Sequence, residues 1–599
     1  MAKRSIQPQY YNFQEELDNL FEKSKMGVNF KELFPLIIDE RNIKLAYGTI
    51  KSNSGSKTPG TDGKTIEDYK PFSDEQIIEM VKGKIDNFKP DSVRRVFIPK
   101  ADGKSRPLGI PTMIDRIIQQ CFKQILEPIV EARFYEHSYG FRPVRSTHHA
   151  IARTNFLINI NKLHFCVDID IKGFFDNINH KKLIQQLWNI GIRDKQVLMI
   201  IKKMLKCEII GEGIATKGTP QGGILSPLLA NVVLNDLDHW VSSQWHTFPT
   251  ETPYDDNRAR FRIQKKMNLK QGFIVRYADD FKIFTDSHNS AKRWFHAAKN
   301  YIEDNLKLDI SETKSKITNL RKKKTVFLGI EFKAVAKRGK FVSQSYIPKE
   351  TISNIQKNIR PLVKGIRMNP IPIRVARLNA YIRGVHNYFE VATQVNKAFN
   401  RIAYHSNRVI YNRLKGIAAF HKDNGSNKGY KKSKFKTISV DGLQAIPIGN
   451  VTHSSAMNFS QDHTIYSESS RTKYGHKEKS IHMKKAFAYL ERNFVPYRSI
   501  ELNDNRIRRF AQTSGKCEIT GIDMAYCPEM VRCHHIKPRK DGGDDGYRNL
   551  IIVHEIAHKL LHATSENIID KLLKILMLND EQLVKLNKLR ETMNLLPIC

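Results

Sequence analysis

Two adjacent aspartates interrupt an apolar stretch in the segment 274-IVRYADDFKIF-284. The valine, isoleucine and phenylalanine residues on both sides predict two β-strands joined by a tight turn that carries Asp279 and Asp280. Adjacent carboxylates in apolar surroundings repel each other and lose hydration, which costs free energy unless a positive charge lies beside them. The stretch therefore predicts a bound cation, although the pair alone is equally compatible with a surface hairpin whose acids are solvated.

A second group of carboxylates lies upstream, in 166-CVDIDIKGFFDNI-178. Asp168 and Asp170 alternate with apolar residues, so both are expected on one face of a strand, and Asp176 follows after a turn. Hard divalent cations need oxygen ligands, so a strand-end aspartate and the hairpin pair could share two Mg²⁺ ions. Two such ions about 3.5–4 Å apart can activate a 3′-hydroxyl and stabilise a leaving pyrophosphate.

The charge balance indicates a polyanionic partner. The 599-residue chain has 99 Lys and Arg against 61 Asp and Glu, a net charge of +38, which is typical of nucleic-acid-binding proteins. An anionic membrane is the weaker alternative, because no basic amphipathic anchor stands out and no run approaches the roughly 18 apolar residues of a membrane span. The N-terminus lacks an apolar signal core and the seven cysteines are scattered, so a reducing cytoplasm is expected.

The chain is too long for one core, so three or more domains are expected. The pattern is, in order, helical over residues 1–50, a Gly-, Ser- and Pro-rich loop over 51–65, mixed α/β over 93–340, helical from about 345, polar and loosely ordered over 421–480, and compact with Cys, His and Gly-rich turns from 514. In the helical part, the apolar residues of 378-LNAYIRGVHNYFEVA-392 recur on one helix face.

The residues 277-YADD-280 resemble the YxDD signature of reverse transcriptases. They lie among ordered blocks that resemble the reverse transcriptase of group II intron-encoded proteins, at residues 94–112, 137–151, 166–180, 218–238, 305–317 and 326–332. The resemblance implies a multidomain α+β fold with right-hand polymerase fingers and palm, followed by an α-helical thumb.

The resemblance also implies a role for each carboxylate. Asp170, Asp279 and Asp280 would be the catalytic triad that binds two Mg²⁺ ions. Asp168 matches no catalytic position and is interpreted as a structural neighbour. Lys314 would be a supporting residue, which either protonates pyrophosphate or only presents a positive charge to phosphate.

Four further positions match residues that hold the incoming nucleotide. Lys100 and Arg106 would bind its triphosphate, unless they are ordinary solvated charges. Phe175 would exclude a ribose 2′-hydroxyl, unless it is simply a core residue. Gln221 would lie near the nascent base pair, in a turn where Gly222 lets the backbone approach closely.

The segment 378–392 resembles the maturase region, or thumb, of the same family. Its position after a polymerase palm implies that Arg374, Arg377 and Arg383 bind RNA, which proteins hold mainly by shape and phosphate contacts. A helix with a solvated basic face is the alternative on this segment alone. The following basic segment, 421–510, fits the family's DNA-binding region by position and composition.

The stretch 533-CHHIKPRKDGGDDGYRNLIIVHEIAHKLLH-562 resembles an HNH endonuclease. His558 and His562 are one helical turn apart and can share a divalent ion, for which Mg²⁺ is preferred over zinc. The resemblance implies that His534 is the third ligand and that His535 is the general base that activates water. It also implies that Asn549 supports the loop.

A structural zinc site, which many relatives of this module build from two Cys-x₂-Cys pairs, is not expected here. The first pair reads 517-CEIT-520 and the second reads 554-HEIA-557. Two of the four ligands are therefore lost, and packing is expected to hold this part of the chain.

Together with these resemblances, the patterns imply five domains. They are an N-terminal extension with the start of the fingers (1–92), reverse transcriptase fingers and palm (93–340), the thumb or maturase domain (341–420), a basic DNA-binding segment (421–510) and a small ββα-metal HNH domain (511–599).

The resemblance implies a protein that would reverse transcribe RNA, assist splicing of its group II intron RNA, and nick target double-stranded DNA to prime synthesis, the process called retrohoming. Its partners would be intron RNA, target DNA and dNTPs, without a membrane, in a bacterial nucleoid-associated ribonucleoprotein. A homodimer is left open.

Two alternatives are weaker. A reverse transcriptase repurposed for defence would often lack the full arrangement of thumb and HNH module. A splicing-only RNA chaperone would not need the intact aspartates and histidines.

Overall fold

A computed structural model of the protein describes residues 8, 13–51, 53–69, 71–99, 105–250, 257–267, 269–423, 427, 430, 435–493 and 500–598. The chain folds into two compact units. The first unit comprises Met1–Asn358, Val385–Asn407 and Ile448–Arg471, and the second comprises Ile359–Gly384, Arg408–Pro447 and Thr472–Cys599. Both units are therefore assembled from separated parts of the sequence.

The first unit begins with helices that enclose an apolar core. The elements are α1 (Gln14–Lys25), α2 (Phe34–Ile37), α3 (Glu40–Lys51), α4 (Ile66–Tyr69), α5 (Asp74–Asp86), β1 (Arg94–Pro99), β2 (Ser105–Ile110), α6 (Met113–Glu131) and α7 (Thr147–Asn159). The two strands pair as an antiparallel hairpin. α6 is central, because most of its side chains are buried.

A four-stranded antiparallel sheet follows, in the order β6-β7-β3-β8. The elements are β3 (Phe165–Ile169), α8 (Phe174–Asn177), α9 (His180–Ile190), α10 (Lys195–Leu205), β4 (Glu208–Ile209), β5 (Gly213–Ile214), α11 (Ser226–Ser243), α12 (Asn257–Lys266), β6 (Phe273–Tyr277), β7 (Asp280–Thr285), α13 (His288–Asp304), β8 (Lys316–Asn319), β9 (Thr325–Phe327), β10 (Ile330–Lys337) and β11 (Lys340–Tyr346).

The two faces of this sheet differ because side chains alternate along a strand. Ile169 and Phe281 pair across β3 and β7 and join the core formed with the helices. Asp168 and Lys282 are the next pair along the ladder and lie on the opposite face. The sheet therefore holds charged residues directly behind an apolar core.

The remaining elements are mostly helices. Among the described residues, three small sheets occur from β9 onward. The elements are α14 (Lys349–Met368), α15 (Pro372–Phe389), α16 (Val395–Leu414), β12 (Ala419–Lys422), β13 (Lys436–Val440), β14 (Leu443–Gln444), α17 (Glu468–Arg492), α18 (Ile500–Gln512), β15 (Val531–His535), β16 (Leu550–His554), α19 (Glu555–His562), α20 (Glu566–Leu576) and α21 (Asp580–Glu591). The sheets are β11-β10-β9, β12-β13-β14 and β15-β16.

These elements confirm the mixed α/β pattern expected over 93–340 and the helical pattern that follows it. The apolar face expected on α15 is present, since Leu378 and Ile382 are buried. Among the described residues, no helix has both the length and the apolarity that crossing a membrane requires.

The segment Ile448–Arg471, here called the return segment, differs from the loose order expected over 421–480. Tyr466 is 3% exposed, and its hydroxyl donates to a carboxylate of α6 at 3.0 Å. Arg471 donates two hydrogen bonds to Asp18 of α1, at 2.7 and 2.8 Å. Polar composition misled the expectation because a few buried anchors, rather than apolar periodicity, order this segment.

The core around β15 and β16 also extends beyond the predicted boundary at residue 511. Ala486 and Leu490 of α17 and Phe510 of α18 are buried in the same cluster as residues of β16 and α19. The predicted boundary therefore divides one core, because the polar composition of 421–510 concealed these apolar contacts.

A fully buried ion pair links the four-stranded sheet to the helix behind it. Arg276 on β6 and Asp238 on α11 are both 0% exposed, and the closest atoms, Nη2 and Oδ2, are 2.6 Å apart. Arg276 Nη1 also donates to Asn231 Oδ1 at 2.8 Å. Buried charges of this kind are tolerated only when paired and fully hydrogen-bonded.

Replacing Asp238 by Ala should destabilise the first unit by about 3–5 kcal/mol, because the Arg276 guanidinium is left buried and unpaired. All four tryptophans, at 188, 240, 245 and 294, lie in this unit, so urea unfolding followed by tryptophan fluorescence reports on it. The double replacement Asp238→Leu with Arg276→Met is the control and should lose less stability. A single variant as stable as the wild type would contradict this account.

Candidate functional site

The predicted metal ligands of the first unit lie at one end of the four-stranded sheet. Ile169 at the end of β3 pairs with Phe281 of β7. Extending this register by one residue places Asp170 opposite Asp280, the first residue of β7. Opposed residues in an antiparallel pair have Cβ atoms about 4.5–5.5 Å apart. Asp279 occupies the adjoining turn and is exposed, so the strand pairing brings all three carboxylates to one edge.

A buried lysine supplies a positive charge beside these carboxylates. The Lys282 side chain is 4% exposed, and its Nζ lies 2.5 Å from Asp168 Oδ1 and 2.9 Å from Asp280 Oδ1. Burial raises the pKa of Asp280, and Lys282 opposes that shift. Burial also acts to lower the pKa of Lys282, but Asp280 and Asp168 outweigh it and raise that pKa. The ammonium therefore stays charged between two carboxylates.

The sequence-based prediction missed Lys282, although the residue lies within the stretch 274–284 that carries Asp279 and Asp280. A lysine two positions after Asp280 on a buried strand was the available signal, since both side chains then share one face. Its partner could not be identified without the β3–β7 register. Asp168, interpreted as a structural neighbour, is placed as the second partner of this ammonium.

The turn that carries Asp279 is held in an unusual conformation. Ala278 has φ of 58°, a left-handed conformation that strains a residue with a Cβ atom. Arg276 Nη1 donates to the Ala278 carbonyl at 2.9 Å. A Cβ atom at Gly140 would lie 2.2 Å from the Ala278 nitrogen, so only glycine allows this close packing. The surrounding chain thus fixes the turn.

Lys314 lies on the other side of the carboxylates. Its Nζ is 3.6 Å from Asp170 Oδ2, and its side chain is 66% exposed. The Asp170 backbone is held by its neighbours, because its N–H donates to Ser315 Oγ at 3.1 Å and its carbonyl accepts from the Ser311 N–H at 2.7 Å. Solvent screens the Lys314 charge, in contrast to the buried charge of Lys282.

The structure describes three of the four residues predicted to bind the nucleotide. Lys100 lies outside the described residues, and Arg106 is exposed on β2. Three residues further along β2, the Gly109 N–H donates to the Gln221 carbonyl at 2.6 Å. A Cβ atom at Gly222 would lie 2.6 Å from the Gly109 carbonyl oxygen. The Pro-Gln-Gly-Gly turn is thus packed directly on the hairpin that carries Arg106.

Phe175 is brought to the same turn. Its carbonyl accepts from the Thr219 N–H at 2.7 Å, and its half-buried ring packs edge-on against Phe174 with centroids 5.5 Å apart. Gln221 Nε2 donates to Asp176 Oδ2 at 3.4 Å. Phe175 and Gln221 therefore lie near each other on adjacent backbone segments.

The three arginines predicted to bind RNA do not form one stripe. All lie on α15, but at 3.6 residues per turn Arg383 is rotated about 180° from Arg374. Arg377 is exposed, while Arg374 and Arg383 are half-buried. Arg377 is thus the most accessible of the three.

Three histidines converge in the second unit. Ligand atoms of His534, His558 and His562 all lie within 4.8 Å of one another. His534 is 4% exposed, and its Nε2 has no hydrogen-bond partner among the residues that the structure describes. Burial lowers the pKa of His534 to about 3 and of His558 to about 4. Neutral imidazoles with a buried, unsatisfied nitrogen are suited to metal coordination.

His535 lies beside this cluster and is oriented by a carboxylate. Strand alternation on β15 turns it away from His534. Its Nε2 is 2.8 Å from Oδ1 of Asp545, whose side chain is 5% exposed, and Arg539 Nε donates to the same oxygen at 3.1 Å. A carboxylate partner requires Nε2 to carry the proton, which leaves Nδ1 as the basic nitrogen. Asp545 was missed because it lies in a Gly- and Asp-rich stretch typical of a solvated loop.

Asn549 connects the two ends of the Gly- and Asp-rich loop that carries Asp545. Its Nδ2 donates to the carbonyls of Lys537 and Asp544 at 3.1 and 2.8 Å, and its Oδ1 accepts from the Lys537 N–H at 2.8 Å. A Cβ atom at Gly543 would lie 1.9 Å from the Lys537 carbonyl oxygen. Asn549 therefore sits where it can support the loop that carries Asp545.

Hydrogen bonds connect the residues that stand in place of the two Cys-x₂-Cys pairs. Cys517 is buried, and its Sγ accepts from the Thr520 N–H at 3.4 Å and from the His554 N–H at 3.3 Å. His554 Nδ1 in turn accepts from the Ile556 N–H at 3.2 Å. Packing and hydrogen bonds thus connect the turn to β16, while the absence of structural zinc stays a prediction.

Glu136, His137 and His246 form another convergent group, with ligand atoms within 4.8 Å of one another. Both histidines already contact tyrosine hydroxyls at 3.1 Å, and burial lowers the pKa of His137 to about 3 and of His246 to about 4. The nearby charge of Arg153 opposes both a proton and a metal ion there. Each histidine here already has a hydrogen-bond partner for its Nδ1, in contrast to the unpartnered Nε2 of His534.

The sheet with its edge of carboxylates is part of a reverse transcriptase domain. Residues 98–332 match the family described as Reverse transcriptase (RNA-dependent DNA polymerase). The chain is 30% identical over 480 residues to the group II intron-encoded protein LtrA of Lactococcus lactis subsp. cremoris, which covers 69% of this chain and 77% of that protein. The chain belongs to the family of group II intron-encoded reverse transcriptases and maturases, which confirms the resemblance seen in its motifs.

Other relatives extend the comparison. The chain is 31% identical over 366 residues to Protein YkfC of Escherichia coli (strain K12), covering 57% of this chain and 94% of that protein. It is 30% identical over 179 residues to Nuclear intron maturase 2, mitochondrial, of Arabidopsis thaliana, covering 22% of this chain and 24% of that protein.

The donor atoms present differ between the two candidate metal sites. Reverse transcriptase domains use divalent metal ions, usually Mg²⁺, and the carboxylate oxygens of Asp170, Asp279 and Asp280 suit such hard cations. The three imidazoles of the second unit suit a softer ion such as Zn²⁺ better than Mg²⁺. The donor set therefore does not favour the Mg²⁺ expected there from the resemblance.

Asp279→Ala or Asp280→Ala should abolish cDNA synthesis on a poly(rA)/oligo(dT) substrate, because a metal loses its anchor. Binding of the same substrate should survive, since it depends on basic surface elsewhere. Primer extension and filter binding measure the two, with exposed Asp304→Ala as the control that keeps both. Retained synthesis in both variants would contradict the assignment of these carboxylates.

Phe175→Ala should admit ribonucleotides into the product, because the ring that would exclude a 2′-hydroxyl is removed. The measurement is the ratio of rNTP to dNTP incorporation on one template. Phe174→Leu is the control, since it disturbs the ring pair but keeps Phe175. If both variants discriminate like the wild type, Phe175 is only a packing residue.

Proposed function

We propose that this protein is a multifunctional group II intron protein, which copies RNA into DNA, assists splicing of its intron RNA, and nicks target DNA with an HNH site. The cut strand then primes reverse transcription at the target. The observation that carries the proposal is the pairing, in one chain, of the Asp170–Asp280 register in the first unit with the three-histidine cluster beside His535 in the second.

The first unit would contribute to polymerisation by positioning the residues that hold the metal ions. Asp170, Asp279 and Asp280 would hold two divalent ions, which supply Lewis acidity to the attacking 3′-hydroxyl and the leaving pyrophosphate. Strand pairing fixes two of these carboxylates opposite each other, and the Ala278 turn fixes the third. Arg106 on the β1–β2 hairpin would contact the triphosphate.

The chain's own residues also explain how strand cleavage would proceed in the second unit. A divalent ion held by His534, His558 and His562 would stabilise charge on the scissile phosphate and the leaving oxygen. His535 would take a proton from the attacking water at Nδ1. Asp545 would hold the imidazole in that tautomer and stabilise the imidazolium that forms, as a buried carboxylate does for other catalytic histidines.

The partners follow from the charge of the chain and its family. A net charge of +38 favours intron RNA and double-stranded target DNA, bound largely through phosphates. The exposed Arg377 of α15 would contribute to the RNA contact. The protein would act as a ribonucleoprotein in the bacterial cytoplasm, associated with the nucleoid, with dNTPs as its substrates.

His535→Ala should reduce nicking of target DNA by about 10²–10⁴-fold, the usual cost of removing a general base. The metal should stay bound, because His534, His558 and His562 are intact. Synthesis on a supplied primer should continue at the wild-type rate, since the reverse transcriptase site shares no residue with this one. Both reactions are run side by side, with metal content measured by mass spectrometry.

The control for this experiment is His558→Ala, which should lose both nicking and the bound metal. A His535→Ala protein that still nicks target DNA would overturn the role of His535. Loss of extension from the supplied primer in that variant would instead show that the two sites are not independent.

A further inference from the structure

Lys282 is a charged residue in a place where lysine is rarely found. Its side chain is 4% exposed, whereas lysines are almost never fully buried unless paired. Two carboxylate oxygens, from Asp168 and Asp280, lie within 2.9 Å of its Nζ. The Phe327 ring lies on another side, with its centroid 5.6 Å from Nζ. The ammonium is therefore confined to one position.

Sheet geometry explains why these groups meet. Asp168 is the direct cross-strand partner of Lys282, and Asp280 is two residues away on the same strand and hence on the same face. The three side chains form a row that runs from β3 across β7 to the edge where Asp170 and Asp279 lie. Lys282 is thus the inner neighbour of the candidate metal site.

We propose that Lys282 is a positioning residue of the polymerase site, which fixes Asp280 through Oδ1 and leaves Oδ2 to face a divalent ion. Asp168 anchors the ammonium from the other side. The proposal rests on the proposed role of Asp280 as a metal ligand. It adds that a fixed internal cation arranges this ligand before any metal binds.

A fixed positive charge beside a ligand also sets how tightly the site binds metal. Lys282 neutralises part of the negative charge that attracts the ion and occupies one oxygen of Asp280. Even at an effective dielectric constant near 20, the Coulomb interaction between a unit charge and a divalent ion a few ångströms apart corresponds to roughly several orders of magnitude in affinity, so about tenfold is the minimum change expected. Lys314, which is 66% exposed, is screened by solvent and is expected to have less effect.

Two kinds of variant should change metal affinity in opposite directions. Lys282→Met should bind metal about tenfold more tightly or more, because the competing ammonium is gone and Asp280 regains both oxygens. Asp168→Asn should bind metal several-fold more weakly, because the ammonium then pairs with Asp280 alone. A merely structural role for Lys282 would lower thermal stability in both variants without changing metal affinity.

The test is direct titration of the full-length protein with Mn²⁺, followed by the electron paramagnetic resonance signal of the free ion, without nucleic acid. Each variant is also made with His558→Ala, so that ions bound by the histidine cluster are subtracted. Lys282→Arg keeps the charge, so its metal affinity should lie closer to the wild-type value than that of Lys282→Met.

A second comparison avoids a buried unpaired carboxylate. The single variant Asp168→Asn is compared with the double variant Asp168→Asn, Lys282→Met. These two proteins differ only at residue 282. The double variant should bind Mn²⁺ about tenfold more tightly or more. Equal affinity in this pair would overturn the proposal, even if Lys282→Met alone fails to fold.

Asp280→Asn separates this proposal from the one on which it rests. If Asp280→Asn leaves Mn²⁺ binding unchanged, Asp280 is not a ligand, and the proposed metal site itself is wrong. If Asp280→Asn removes a bound ion while the 282 variants leave affinity unchanged, the metal site stands and the role of Lys282 is wrong.

Discussion

The antiparallel register of β3 and β7 is the constraint on which the reverse transcriptase site depends. A shift of one residue would turn every side chain of a strand to the other face. Ile169 would then leave the core if β3 shifted, and Phe281 would leave it if β7 shifted, at a cost of about 1.5–3 kcal/mol for each large apolar side chain. The same register places Asp170 opposite Asp280 and Asp168 opposite Lys282. Hydrophobic burial on one face of the sheet therefore fixes the electrostatics on the other.

The two candidate sites share one structural device. In each, a strand carries a candidate metal ligand and a second candidate residue close by, Asp280 with Lys282 on β7 and His534 with His535 on β15. In each, a carboxylate contacts that second residue, the partly buried Asp168 in the first unit and the buried Asp545 in the second. Rigid strands supply position, and a low-exposure carboxylate supplies orientation.

The candidate ligands could be selected from the sequence because their signals are local. Asp279 and Asp280 interrupt an apolar hairpin, and His558 and His562 are one helical turn apart. The partners Lys282 and Asp545 were missed because each depends on a residue that only the folded chain brings near. The return segment was missed for a related reason, since its order rests on Tyr466 and Arg471, two residues without any periodic pattern.

The return segment also has a consequence for biosynthesis. The ion pair between Arg471 and Asp18 joins residues 453 positions apart. At a translation rate of about 5–20 residues per second, roughly 20–90 seconds pass between synthesis of the first partner and synthesis of the second. During this interval Asp18 on α1 must remain without its partner on the ribosome. Helix α1, although made long before Arg471, thus reaches its final set of contacts only after the reverse transcriptase domain has emerged.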